Sequence, residues 1–150
     1  MAHRPRLCDD GSVPPIRILL VDDSVFFLGA ARSFLSGRPG LKVVDDLVSG
    51  REALAQAGPM WADLILLDLN MVGLNGLEVA KRLKALPTPP KIIIVTFHDT
   101  PEYREAARAA GADAFVSKAD FSQTLLPAIA ALFPGHDSFE RTSGSNPPIP

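Results

Sequence analysis

Four short, mostly apolar runs punctuate the chain: residues 16–21, interrupted only by Arg17, then 64–67, 92–95 and 114–116. Brief runs rich in Ile, Leu and Val predict strands buried on both faces of a parallel sheet. A fifth run, 42–48, alternates more and suits an edge strand. Between them the apolar spacing turns helical. Residues 24–36 open on a serine able to cap and end at Gly37; 50–57 are short and stop at Gly58-Pro59. Residues 75–85 set Leu77, Ala80 and Leu83 at helical spacing, and 100–110 start with a capping threonine followed by proline and close at Gly111. Residues 121–133 place Leu125, Leu126, Ile129 and Leu132 on one face, with Pro127 inside, expected to bend the helix or leave a carbonyl unpaired. Strand and helix alternate through five rounds, an α/β order that implies a parallel sheet with helices on both faces.

The two ends break this pattern. Residues 1–15 and 136–150 hold six of the fourteen prolines and show no apolar periodicity. They are expected to be a flexible flank (1–15) and a flexible Ser/Pro-rich tail (135–150) around one domain at 16–134. With 15 Lys+Arg against 17 Asp+Glu, the net charge of −2 argues against a protein devoted to nucleic-acid phosphates. A hydrophobic share of 47% with 21% charged residues is that of a globular chain. Cys8, alone, cannot pair within the chain, which fits a reducing cytoplasm. No apolar run approaches the ~20 residues of a membrane helix, and the N-terminus lacks a signal-peptide core. The expectation is a soluble cytoplasmic domain.

In open α/β sheets, ligands bind beyond the carboxyl ends of the strands. The runs there end Val21-Asp22-Asp23, Leu67-Asp68, Val95-Thr96 and Val116-Ser117-Lys118. Three carboxylates on one edge repel one another unless positive charge joins them. Lys118 supplies one charge, and the shortfall among oxygen ligands points to a hard divalent cation, Mg²⁺ or Mn²⁺. Such an ion beside a hydroxyl and an ammonium makes a socket for a phosphoryl group. An aspartate in the socket can act as nucleophile and form an acyl phosphate. Asp68 is the central candidate, because adjacent Asp22 and Asp23 are better placed as a metal-binding pair.

This set of Asp22-Asp23, Asp68, Thr96 and Lys118 resembles the CheY-like receiver domain of two-component response regulators. The similarity covers residues 16–133 and includes Asn75-Gly76 after the acceptor and Gly111-Ala112-Asp113-Ala114-Phe115 before the lysine. The resemblance implies a flavodoxin-like (βα)5 fold with strand order 2-1-3-4-5. It implies Asp68 as phosphoacceptor, Asp23 as a direct metal ligand, Asp22 acting mainly through water, and a backbone carbonyl ligand from Asn70. Thr96 and Lys118 would each take a phosphoryl oxygen. Phe115 would be the aromatic switch that packs inward as Thr96 moves, and Asn70 and His98 would tune loss of the phosphoryl group. The implied donor is a histidine kinase or a histidine phosphotransfer protein. The downstream protein would use the face of the fourth helix, fifth strand and fifth helix, with a homodimer as a further option.

Since only the Ser/Pro-rich stretch follows Phe133, the expectation is a stand-alone receiver, not an enzyme toward other substrates and without direct DNA binding. It would signal through a partner or serve as a phosphorelay intermediate. Two positions depart from the family. Met71-Val72-Gly73 stands where Met-Pro-Gly is usual, which would loosen that loop, and Phe97 stands where a small residue is common, which would narrow access to Asp68. A phosphorylation-independent adaptor would normally have lost an acidic residue. A haloacid-dehalogenase-type phosphatase needs Asp-x-Asp after the first strand, whereas Asp68-Leu69-Asn70 follows the third. A flavodoxin needs a Ser/Thr/Gly-rich phosphate cradle where this chain has Asp22-Asp23-Ser24. Lys81, Arg82 and Lys84 read as a solvated helix face.

Overall fold

A computed structural model describes residues 13–56, 61–71 and 73–135. The expectations for 1–12, 136–150, the helix stop at Ala57-Gly58-Pro59 and the loop residue Val72 lie outside those residues. The elements are β1 (Ile16–Val21), α1 (Val25–Leu35), β2 (Leu41–Leu47), α2 (Gly50–Gln56), β3 (Leu64–Asp68), α3 (Gly76–Lys84), β4 (Lys91–Thr96), α4 (Pro101–Ala109), β5 (Ala114–Ser117), a 3₁₀ turn (Lys118–Asp120) and α5 (Phe121–Leu132). The five strands form one sheet in the order β2-β1-β3-β4-β5, and every pairing is parallel. This is the doubly wound, flavodoxin-like arrangement that the alternation and the resemblance led us to expect.

Successive strand residues point to opposite faces, which explains why the central strands are apolar throughout. Ile16, Ile18, Leu20, Leu64, Leu66, Ile93 and Val95 face α1 and α5, where Leu28, Leu35, Leu125, Ile129 and Phe133 complete one core. Leu19, Val21, Ile65, Leu67, Ile92 and Ile94 face the other helices, packing on Ala53, Val79, Leu83 and Ala107. The capping residues act as their types predict. Ser24, Asn75 and Thr100 each accept a hydrogen bond from the backbone N–H three residues on, and Pro101 sits in the first turn of α4.

Several local features differ from expectation. β2 runs one residue earlier than 42–48, with a register shift opposite Ile18/Leu19, and Val48 lies beyond its end, exposed. The 3₁₀ turn before α5 carries no apolar period by which to foresee it; Ser117 starts it by accepting from the Ala119 N–H. α5 continues through Pro127, which is exposed. Lys84 is not part of a solvated face: its ammonium bonds the Asp113 carboxylate at 2.9 Å and the Pro90 carbonyl at 3.0 Å. A flexible stem lets lysine reach a half-buried partner that helix periodicity does not reveal. Arg17, the charge within β1, is explained by a two-pronged pair with Asp63 at the start of β3.

Candidate functional site

Parallel strands all end on one edge, and the loops leaving that edge bring Asp22, Asp23, Asp68, Thr96 and Lys118 together. Each of the three aspartates offers a carboxylate oxygen within 4.8 Å of the others. Asp22 and Asp68 are buried, while Asp23 is exposed toward the rim. Asp22 is fixed at both ends of its peptide unit and side chain: its N–H donates to the Leu47 carbonyl, and its Oδ1 accepts from the Ser24 N–H at 2.8 Å. That leaves Oδ2, which is wholly buried and makes no well-directed hydrogen bond. Its neighbour is the Lys118 ammonium, at 2.6 Å but off the direction of a hydrogen bond. The same ammonium lies 3.4 Å from Asp68 Oδ1.

One lysine is therefore shared by two of the three clustered carboxylates, Asp22 and Asp68. Burial pushes the Asp68 carboxyl up to about 6, with the charge on Asp22 adding to the rise and Lys118 opposing it. A buried carboxylate oxygen without a hydrogen bond and three clustered hard oxygen donors are together what a small divalent cation fits. Asp22, Asp23 and Asp68 are the side chains able to hold it. Asn70, two residues past Asp68, is exposed at the same loop.

Thr96 ends β4, fully enclosed, one residue beyond the partner of Asp68 in the sheet register. Its Oγ1 accepts from the His98 N–H at 3.1 Å, so its own O–H remains to donate. His98 is exposed, its ring edge-to-face with Tyr103 at 5.7 Å. Phe115 is half-buried against the core shared with α4. The Arg104 guanidinium lies 4.7 Å above its ring and is held by a two-pronged ion pair with Asp99 in the β4–α4 loop. Lys118, with a side chain only 7% exposed, is covered by two rings: its ammonium is 4.4 Å from the Phe27 centroid and 5.6 Å from that of Phe97.

The structure thus gathers the five residues expected at the strand ends. It adds Phe27 and Arg104, which lie within the predicted helices 24–36 and 100–110 and which the sequence did not single out. Helical spacing on α1 groups Phe27 with Leu28 and Ala31, and only the sheet order shows that Lys118, from the distant end of β5, arrives above it.

A parallel sheet of order β2-β1-β3-β4-β5 with acids, hydroxyl and lysine on its carboxyl edge is the architecture of a receiver domain. Residues 18–130 match the family model of the response regulator receiver domain, and the chain belongs to that family. It is 38% identical over 107 residues to protein-glutamate methylesterase/protein-glutamine glutaminase 5 of Myxococcus xanthus, covering 71% of this chain and 31% of that protein. It is 35% identical over 117 residues to the nitrate/nitrite response regulator protein NarP of Escherichia coli, covering 78% of this chain and 54% of NarP. In both cases it spans well under two thirds of the relative's length. A two-component response regulator of the LuxR family from Aurantimonas sp. SI85-9A1 superposes with a TM-score of 0.73 at 29% identity, over 78% of this chain and 84% of that one. Among the described residues, no helix is long and apolar enough to cross a membrane.

Proposed function

We propose that this domain is a phosphorylation-controlled switch, in which Asp68 accepts a phosphoryl group from the phosphohistidine of a histidine kinase or a histidine phosphotransfer protein. A carboxylate oxygen of Asp68 attacks phosphorus and the P–N bond breaks. Its electron pair returns to the imidazole, which takes up a proton, and an acyl phosphate remains on Asp68. The observation that carries this reading is the Lys118 ammonium 3.4 Å from Asp68, inside a cluster of three carboxylates whose oxygens lie within 4.8 Å. A Mg²⁺ or Mn²⁺ ion held by Asp22, Asp23, Asp68 and the Asn70 carbonyl supplies charge neutralisation for the phosphoryl oxygens.

The protein's own groups do the rest. Lys118 orients one phosphoryl oxygen by its charge, and Thr96 donates its free O–H to another. As the Thr96 hydroxyl turns toward the phosphoryl group it gives up the His98 N–H, which frees the β4–α4 loop to move and lets Phe115 repack. Asn70 and His98, both exposed on loops that leave the strand ends, tune loss of the phosphoryl group. The repacked α4–β5–α5 face is read by a downstream protein or by a second copy, in the cytoplasm, without DNA contact by this domain. The domain assists its own phosphorylation and dephosphorylation and acts as no enzyme on other substrates. Incubation with acetyl phosphate and Mg²⁺, followed by intact mass, is expected to show one added phosphoryl. The addition disappears in Asp68→Asn and under chelation. Modification at another residue, or none where a control receiver reacts, overturns the reading.

A further inference from the structure

Resting on that function, we propose that Phe27 and Phe97 form an aromatic clamp that positions the Lys118 ammonium over the acceptor. Lysine is a point charge on a flexible four-carbon stem, and nothing in its own chemistry aims it. Here it stands between two carboxylates at unequal distances, 2.6 Å to Asp22 and 3.4 Å to Asp68, and Coulomb attraction alone favours the nearer one. The ammonium rests nearer Asp22 yet within reach of Asp68, and it lies over both rings there. The rigid member is Phe27: its ring meets Phe121 edge-on at 5.2 Å, and Phe121 in turn meets Phe34 at 5.3 Å, joining it to the α1–α5 core. The outer member is Phe97, 68% exposed. No core packing accounts for a phenyl ring kept so far in water, whereas its face lies toward the ammonium at 5.6 Å. Cations are attracted to such faces at these distances.

The clamp makes Phe97 more than a bulky neighbour of Asp68. A ring that only obstructs access is replaceable by any apolar side chain, and shortening it speeds entry. A ring that holds the ammonium is replaceable by another aromatic and not by an aliphatic one. Both are positioning residues, acting on phosphoryl transfer through Lys118.

Two measurements on the full chain test this. In protein carrying ¹³C-lysine, the Lys118 ε-methylene, assigned by its loss in Lys118→Arg, is expected upfield of the other four lysines because of the ring currents. The shift persists in Phe97→Tyr, shrinks in Phe97→Leu and largely vanishes in Phe27→Leu. With acetyl phosphate and Mg²⁺, Phe97→Leu is expected to be phosphorylated roughly two- to five-fold more slowly, the size of a cation–π contact at a partly exposed site. Phe97→Tyr restores the rate. An unshifted Lys118 signal in the wild-type chain overturns the clamp whatever the phosphorylation result, and so does a Phe97→Leu rate equal to or above wild type. A wild-type chain that shows the shifted signal but takes no phosphoryl group overturns the function instead, and with it the purpose of the clamp. Exposed Phe97 keeps the test decisive even where Phe27→Leu folds poorly.

Discussion

Asp22, Asp68, Thr96 and Ser117 are the buried polar and charged residues among those described, and each stands at the carboxyl end of a strand. Buried polar groups persist where hydrogen bonds or ions satisfy them. Thr96 and Ser117 each accept a backbone N–H, and Asp22 does so with one oxygen. Asp68 shares the Lys118 ammonium with Asp22, and its carboxyl is raised from 3.8 to about 6, chiefly by burial. Between those two values the folded, metal-free domain binds a proton that the unfolded chain does not. Stability from this group therefore rises as pH falls from about 6 toward 3.8 and is lost as pH climbs through about 6. Asp68→Asn has no such titration. In chelator at neutral pH it is expected to exceed wild type by up to roughly 2–3 kcal/mol, and the gap should narrow steadily once the pH drops below about 6. Urea unfolding of both proteins at stepped pH checks this; a gap that stays constant with pH contradicts it.

The loop joining β3 to α3 shows how an element is held by one absent side chain. A Cβ on Gly76 would stand 2.2 Å from the Asp68 carbonyl oxygen and 2.9 Å from the Leu69 Cα, both backbone atoms that cannot swing aside. The Gly76 N–H also bonds the Leu69 carbonyl, so the first turn of α3 is fastened directly beside Asp68. Gly76→Ala is expected to cost about 1–3 kcal/mol by overpacking and to slow phosphorylation by acetyl phosphate, because the shift falls on the peptide that carries Asp68. Thermal unfolding and the mass assay measure the two effects. Neither changing would show that the loop gives way freely.

Sequence made Asn75-Gly76 visible as a motif but not this contact, which joins backbone segments brought together by the sheet. The same division holds elsewhere. Apolar runs marked the strands because both faces are buried, and Ser24, Asn75 and Thr100 marked helix starts because capping is local chemistry. The five strand-end residues were legible because parallel strands all finish on one edge. Lys84 reaching Asp113, Arg104 over Phe115 and Lys118 between Phe27 and Phe97 were not, since each pairs residues from separate elements through long, flexible side chains.

At the scale of the whole molecule, the net charge of −2 hides a lopsided distribution. Away from the site, ion pairs join Arg17 with Asp63, Arg32 with Asp46, Arg82 with Glu78, Lys84 with Asp113, Arg104 with Asp99 and Arg108 with Glu105. At the carboxyl edge, three carboxylates cluster, and Lys118 pairs with two of them, Asp22 and Asp68. Folding itself assembles that cluster, since Asp68 lies far along the chain from the adjacent Asp22 and Asp23. A divalent cation that binds the assembled edge and not the unfolded chain must then stabilise the whole fold by mass action. At ten times its dissociation constant, Mg²⁺ is expected to add about 1.4 kcal/mol, which for a domain of this size raises the melting temperature by roughly 3–6 °C. Asp23→Asn should remove most of that rise, because it takes away the ligand nearest solvent while leaving the buried Asp22–Lys118 pair in place. Scans in Mg²⁺ against NaCl of equal ionic strength separate a bound ion from general screening. Equal melting temperatures in the two salts would mean that the acidic edge tolerates its own charge without a metal, and the magnesium-dependent part of the proposed function would fall with it.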